Sequence, residues 1–507
     1  MKKTIQLGLL VATTFIGINA VAQTQGIAYP AVGKGVATTF VTDYHCLGIN
    51  ASALGWGTGY DKKRFTTGAS EFNFSIYSDS LTSQKLRSFS NTLLNAALTK
   101  NGSSIDFAKQ KEAAADYAQA GIAMSLNFNW AGFAFQNEKF GGIAFNIREN
   151  YQWYSKLNQA TTDIVFRGKL ASFFDSLQIA VPNLTTNIPD TSTIANNPNI
   201  GSDTLAYAIQ GKLAVPLNLS ALTLGSQIKM SWTRSYNLGY GRRLLKLGEW
   251  FEMYAGISGR YIQSMAYFDL NSNADGLKMY SSITPAFKIN YGSVAQLNPS
   301  AVQNQASGIP KAIGNGYGVD LSASVRLWKK LKVSVAVNNI GSVNYKRNIY
   351  TVNDTLFSSF SLSGLDQTNV TKSIGQMLTT GGLLQLKGEE KFRQNNAADF
   401  RFGSSIKVAK WLEFGFDMVA PLNANNPGNI QNAVFSFGGE IRPIKWIALS
   451  AGFIGGGIYK TNVPMGINFI LKDGGYEVGI SSADALSFFT KNSNSVSTAF
   501  GFARVRF

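Results

Sequence analysis

The chain has 507 residues, 15% of them charged, a formal net charge of +17, 50 glycines, 34 phenylalanines, 20 tyrosines and one cysteine. Its mean hydropathy is −0.02, and after the first residues no stretch approaches the roughly 18–20 apolar residues of a spanning helix. A single cysteine rules out an internal disulfide framework, and scattered rather than clustered lysines and arginines argue against a nucleic-acid partner.

In chain order, Lys2 and Lys3 precede an apolar stretch from Ile5 to Ile18, which closes on Ala20-Val21-Ala22 before Gln23. A charged start, a short apolar core and a small-residue end predict a secretory signal peptide over residues 1–22, cut after Ala22. Its removal lowers the net charge to +15, which suits anionic lipid headgroups or an anionic solute. No cysteine follows the cut to carry a lipid; Cys46 lies downstream with no basic cluster beside it and reads as a buried free thiol. Neighbouring His45 is the one histidine of the chain, so it has no second nitrogen ligand and reads as structural rather than as a zinc or catalytic residue.

Helical spacing occurs at 83–118, where Leu86, Phe89, Leu93, Leu94 and Leu98 precede an alanine-rich run from Ala108 to Ala118, and predicts a helical insertion in a loop. Strict alternation begins next. Ile122, Met124, Leu126, Phe128 and Trp130 share one face, and Ala123, Ser125, Asn127 and Asn129 the other. Ile143, Phe145 and Ile147 repeat it against Asn146, Arg148 and Asn150. One apolar and one polar face at period two is a strand between lipid and a wet lumen.

Four hairpins of one length class follow: Tyr240 to Tyr261, Val319 to Val337, Phe400 to Met418 and Phe435 to Phe453. Their turns hold Lys246 to Trp250, Lys329-Lys330, Lys410-Trp411 and Lys445-Trp446, and a tryptophan with a snorkelling lysine suits headgroup depth. The polar connections 157–203, 270–316, 343–398 and 420–432 are long, so short turns alternate with long loops as in an outer-membrane barrel.

The chain ends in a strand from Ala499 to Phe507. Arg504 and Arg506 cannot lie deep in hydrocarbon, so Phe507, Val505, Ala503, Gly501 and Ala499 are assigned to lipid, and Phe500 and Phe502 to the lumen beside the arginines. Val505 and Phe507 thus mark a terminal assembly strand of the type that barrel-assembly machinery recognises, and it must pair with the strand near 64–78 to close the sheet. Strands at 64–78, 120–135, 142–155, 223–244, 250–268, 317–328, 331–341, 398–408, 411–419, 433–442, 446–455, 463–472, 475–482 and 496–507 make about fourteen, or sixteen if 204–222 adds to them. The predicted class is all-β, a transmembrane antiparallel β-barrel with both termini periplasmic.

Two stretches carry a resemblance. Leu47-Gly48-Ile49-Asn50-Ala51-Ser52-Ala53-Leu54-Gly55-Trp56 near the mature start and Asn338-Asn339-Ile340-Gly341-Ser342 after a hairpin resemble FadL-like outer-membrane barrels, in a branch common in Bacteroidota and related to the PorV-type barrels of type IX secretion. The resemblance implies that Asn50, Ala51, Ser52, Ala53 and Leu54 belong to a hatch inside the barrel, within residues 23–62, with the barrel proper over 63–507. Ala51 stands where that family has a proline; the alternative for the same residues is a turn-rich lead into the first strand. The resemblance also implies a channel for small hydrophobic or amphipathic molecules. The alternative is a non-transporting structural or secretion-accessory barrel that binds exported proteins.

No nucleophile elbow, phosphate loop, dinucleotide fingerprint or Cys/His metal spacing occurs, so neither an enzyme nor a cofactor is expected. Glu413, Asp417 and Glu440, with Arg401, Lys407 and Arg442, read as a ladder of ion pairs along the lumen.

Overall fold

The computed structural model describes residues 28–507 except 61, 87–106, 184, 186, 187, 288, 290, 303–309, 363–384, 424–431, 458 and 492. The predicted signal peptide and the middle of the helical insertion lie outside the described residues.

Fourteen antiparallel strands form a closed barrel. In order they are β1 Phe65–Ser78, β2 Ile122–Asn137, β3 Gly141–Lys156, β4 Gln227–Leu247, β5 Phe251–Asn273, β6 Gly314–Leu327 and β7 Leu331–Tyr345. The circuit continues with β8 Asp399–Ala409, β9 Leu412–Pro421, β10 Val434–Ile444, β11 Ile447–Gly456, β12 Met465–Leu471, β13 Tyr476–Ser482 and β14 Ser495–Arg506. Each strand pairs with the next, and β14 returns to β1, with Thr66 opposite Arg506 and Ile76 opposite Val496. Closure leaves the wall no edge, which is what lipid demands of a sheet, because an unpaired backbone group there finds no water. The segment 204–222 does contain a strand, Ala208–Asn218, but it belongs to a separate sheet and adds nothing to the barrel.

Side chains sort by face as alternation requires. Leu238, Ile257, Leu321, Val335, Phe414, Phe437, Phe453 and Ile480 are exposed on the outside, whereas Asn146, Arg148, Asp320, Ser334 and Asn338 are buried within. Trp250, Trp328, Trp411 and Trp446 stand exposed at the short turns. Their amphipathic rings mark the rim of the apolar belt at the short-turn end.

The terminal strand breaks its alternation and corrects the reading of its faces. Phe500 and Phe502 point outward with Phe72, at ring-centroid distances of 5.1 Å for Phe72 to Phe500 and 4.9 Å for Phe500 to Phe502. Ala499 and Gly501 point inward, Gly501 against the ring of Tyr29. The register shifts between Glu477 and Gly479 on β13, and Ser70 on the facing β1 takes a positive φ of 55°. An extra residue at this bulge flips the face, so Arg504 and Arg506 remain inward while Val505 and Phe507 remain outward.

At the long-loop end β4 and β5 run to 21 and 23 residues and rise past their neighbours. The outer face of this extension carries a lobe made of the helix Gln159–Arg167 and a four-stranded sheet in the order 356–360, 208–218, 176–181, 190–195. Ile164, Phe174, Leu219 and Phe360 of the lobe bury Phe268 and Leu270 of β5. The helix starts cleanly because the Asn158 side chain accepts from the N–H of Thr161. Of the helical insertion, Phe107–Tyr117 is helical, and Leu86 packs with Ile76 and Ile122 at the loop-side ends of β1 and β2.

Candidate functional site

The lumen is filled by the chain's own N-terminal residues. Residues 28–56 make a short helical turn, Tyr29–Val32, and two 3-10 turns, Asp43–Cys46 and Ala51–Trp56, all inside the barrel. Tyr29, Tyr44, Cys46, Leu47, Ala53 and Leu54 are buried to 0% exposure. Pro30 suits the first helical turn because its missing N–H would have had no partner there.

This hatch touches the wall so closely that the wall has lost side chains to admit it. A Cβ on Gly132 of β2 would stand 2.2 Å from the Tyr44 ring. A Cβ on Gly438 of β10 or Gly452 of β11 would stand 1.8 or 2.2 Å from the carbonyl oxygen of Lys34. Glycine is thus required at these positions by contact rather than by conformational freedom.

Polar ties then anchor the hatch around the circuit. Both oxygens of Glu71, on β1, lie 2.9 Å from Nε2 of His45, and the Tyr44 hydroxyl and Asn129 amide also donate to this carboxylate. Asp43 pairs with Arg504, which with Arg506 also holds Glu477 of β13. Arg148 donates to the carbonyl of Leu47 at 2.6 Å, and Lys34 reaches Glu440 at 2.7 Å. His45 is therefore a buried link between hatch and wall. No group of three or more metal-ligating side chains occurs among the described residues.

The predicted lumen ladder holds in part. Glu413 pairs with Lys332, Glu440 with Lys34 and Arg442, and Arg401 with Asp399. Asp417 instead holds hatch backbone, its Oδ2 accepting the N–H groups of Ala37 and Thr38 at 2.6 and 2.8 Å and the Thr38 hydroxyl at 3.0 Å. A short β9 side chain brought against a hatch turn meets backbone donors before it meets a cation. Lys407 stands exposed.

The residues singled out in the sequence fall in two separate places. Asn50 donates to the Thr38 carbonyl at 2.8 Å, and the Ser52 hydroxyl lies 2.6 Å from Asn50 Oδ1 and 2.8 Å from the Ser324 hydroxyl of β6. Ala51 and Ala53 are buried beside them, and the carbonyl of Leu54 accepts from Gln136. Val505 and Phe507 lie apart on the outer wall, where Phe507 stacks on Phe65 at 5.6 Å and its carbonyl accepts from the N–H groups of Arg64 and Phe65. Sequence reasoning missed Lys34, Tyr44 and Glu71 as hatch anchors. A legible trace existed in the inward glycines at Gly132, Gly438 and Gly452, on strands that otherwise alternate well.

On the long-loop side of the hatch a cleft of about 720 Å³, its open mouth included, lies between β3, β4, β5 and β7. Arg260 lies at its floor against Gly48 and is ion-paired to Asp320. On the short-turn side the hatch ends near Trp56, whose ring lies 5.2 Å from the Lys332 ammonium.

Cys46 reports directly on hatch seating. With the thiol fully buried, a maleimide is expected to leave the folded protein unlabelled and to label it after boiling in SDS. Rapid labelling of the unheated, fast-migrating form would show that the hatch does not occupy the lumen as described.

Fold and site together define a plugged fourteen-strand transmembrane barrel. The chain belongs to the family of unknown function DUF5723, whose profile matches residues 190–472. No curated protein matches it. Among solved structures it is similar to the Pseudomonas putida toluene transporter TodX, at 10% identity over 96% of this chain and 98% of that one, with a TM-score of 0.39. It is likewise similar to a Pseudomonas aeruginosa FadL homologue, at 9% identity over 96% and 97% of the two chains, with a TM-score of 0.38.

Proposed function

We propose that the protein, exported with loss of residues 1–22, is an outer-membrane channel for a small amphipathic molecule, which enters from the long-loop side and passes through the lumen when the hatch shifts. The observation that carries this reading is the combination of an open cleft on one side of the hatch with a hatch whose buried apolar cluster includes Ala134 and Ala144 of the wall and whose further ties to the wall are separable polar contacts. The route is lumenal because hydrogen-bonded pairing runs around the whole circuit, β3 alone matching fifteen consecutive residues of β4 without a shift. A wall gap would need such a ladder to be broken.

A second reading, a barrel that binds an exported protein, is favoured by the exposed apolar residues Val215, Leu217 and Leu356 on the loop-side lobe.

The test loosens the hatch and reads its position and the pore separately. Lys34→Ala with Asp417→Ala removes an ion pair and three charge-assisted hydrogen bonds, each worth about 1.5–3 kcal/mol when well formed. The wild type is expected to stay closed in planar bilayers and the double variant to open often, with Cys46 becoming labelled at the same time. A variant with labelled Cys46 and no conductance would refute the channel. A stable protein partner purified with such a silent barrel would favour the second reading.

A further inference from the structure

The cleft above the hatch has the wrong lining for a hydrocarbon and the wrong charge for an ion. Asn150 and Gln152 face it from β3, Ser231 and Thr233 from β4, and Gln394 and Asn395 from a short strand, 392–395, that pairs with β7 at the loop side. Each of these side chains is uncharged, and together they offer donors and acceptors to one space. The cation of the lining, Arg260, is already matched by Asp320.

The remaining wall is partly aromatic, with Ile262, Val343 and Ala397 beside two tyrosines. Tyr267 and Tyr345 line the cleft with ring centroids 5.1 Å apart, and Tyr345 lies 4.4 Å from Phe392 at an interplanar angle of 4°. This stack fixes the ring of Tyr345 in place. Arg260 and Asn339 of the lining also lie against Gly318 of the wall, where Nε of Arg260 and Oδ1 of Asn339 are buried without a hydrogen-bond partner.

A hydrocarbon entering here would strip water from amides and hydroxyls without replacing its hydrogen bonds, at about 1–3 kcal/mol for each group left unsatisfied. A charged solute would find no free counter-charge among the described lining residues. A molecule dense in hydroxyl groups but without charge replaces the displaced water bond for bond, and its C–H faces can lie on the tyrosines.

We propose that this cleft is a binding site for a neutral polyhydroxylated solute. The proposal rests on the channel reading in taking the same lumen as the route and replaces its amphipathic solute by a neutral polyhydroxylated one, but it concerns binding and is tested as binding.

Purified full-length protein in a detergent without a sugar head group is titrated calorimetrically with maltose, with gluconate and with 1-octanol. The expected result is saturable maltose binding, with gluconate and octanol weaker by about tenfold or more. Gln152→Leu and Thr233→Val are each expected to weaken maltose binding by about tenfold, the loss of roughly one hydrogen bond, while heat-modifiable migration stays that of the wild type. Gln394→Ala, in the short loop-side strand outside the barrel circuit, gives a second readout if either wall variant folds poorly. Absence of maltose binding, or octanol or gluconate binding as tightly, overturns the proposal. Liposome swelling separates the two readings. Octanol flux without sugar binding leaves the channel standing and removes this site, whereas sugar binding without flux of any solute keeps the site and removes the channel.

Discussion

Deletion of Arg504 to Phe507 is expected to leave export intact and to abolish the folded barrel, with the protein lost to aggregation or proteolysis. The four residues close the short-turn end of the circuit: Gly68, Thr67 and Thr66 of β1 face Arg504, Val505 and Arg506. The carbonyl of Phe507 accepts from the N–H groups of Arg64 and Phe65 at 3.0 and 2.9 Å. Without them the short-turn end of β1 becomes an open edge at membrane depth, and Glu477 and Asp43 lose their cations together. Membrane fractionation and migration in unheated gels check this. A truncation that reaches normal outer-membrane yield and keeps heat-modifiable migration would show that closure does not depend on these residues.

Glu477→Ala is expected to destabilise the folded barrel by about 3–5 kcal/mol, because removing one partner of a buried ion pair leaves the other uncompensated. Here two cations are exposed to that fate, since Arg504 and Arg506 both turn on Glu477, at 3.1 and 2.6 Å. Arg504 keeps Asp43, so Arg506, which is left with the carbonyl of Gly474 and the ring of Tyr60, bears most of the cost. The temperature at which the fast-migrating gel form is lost should fall by several degrees. An unchanged transition would mean that water at the lumen rim solvates Arg506 as well as the carboxylate does.

The wall of this protein was legible because lipid outside and polar contents inside impose a period-two pattern wherever a strand runs without a bulge. Leu321 and Val335 outward, Asp320 and Ser334 inward, follow from alternation alone. That logic failed at Phe500 and Phe502, because a bulge is a one-residue local event and leaves no mark in the pattern except a phase change, which short strands cannot display. The hatch was harder to read. Its turns are made by non-local contacts, such as Asp417 to Thr38 and Glu71 to His45, between residues 379 and 26 positions apart, and spacing carries no record of them. The lone histidine read as structural lies where burial and one carboxylate account for it. The cleft was invisible in sequence, since Gln152 and Thr233 look like any inward polar residues until the barrel closes and the hatch gives them a floor.

The position of the hatch also bears on the seam of the barrel. Tyr29 lies against Gly501 of β14, and its carbonyl accepts from the Ser481 hydroxyl of β13; Asp43 holds Arg504 of β14; Tyr44 and His45 hold Glu71 of β1. These contacts stand on both sides of the junction where the first strand meets the last. The hatch is thus a clasp as much as a plug: the earliest residues of the described chain hold both sides of the junction that the latest ones complete.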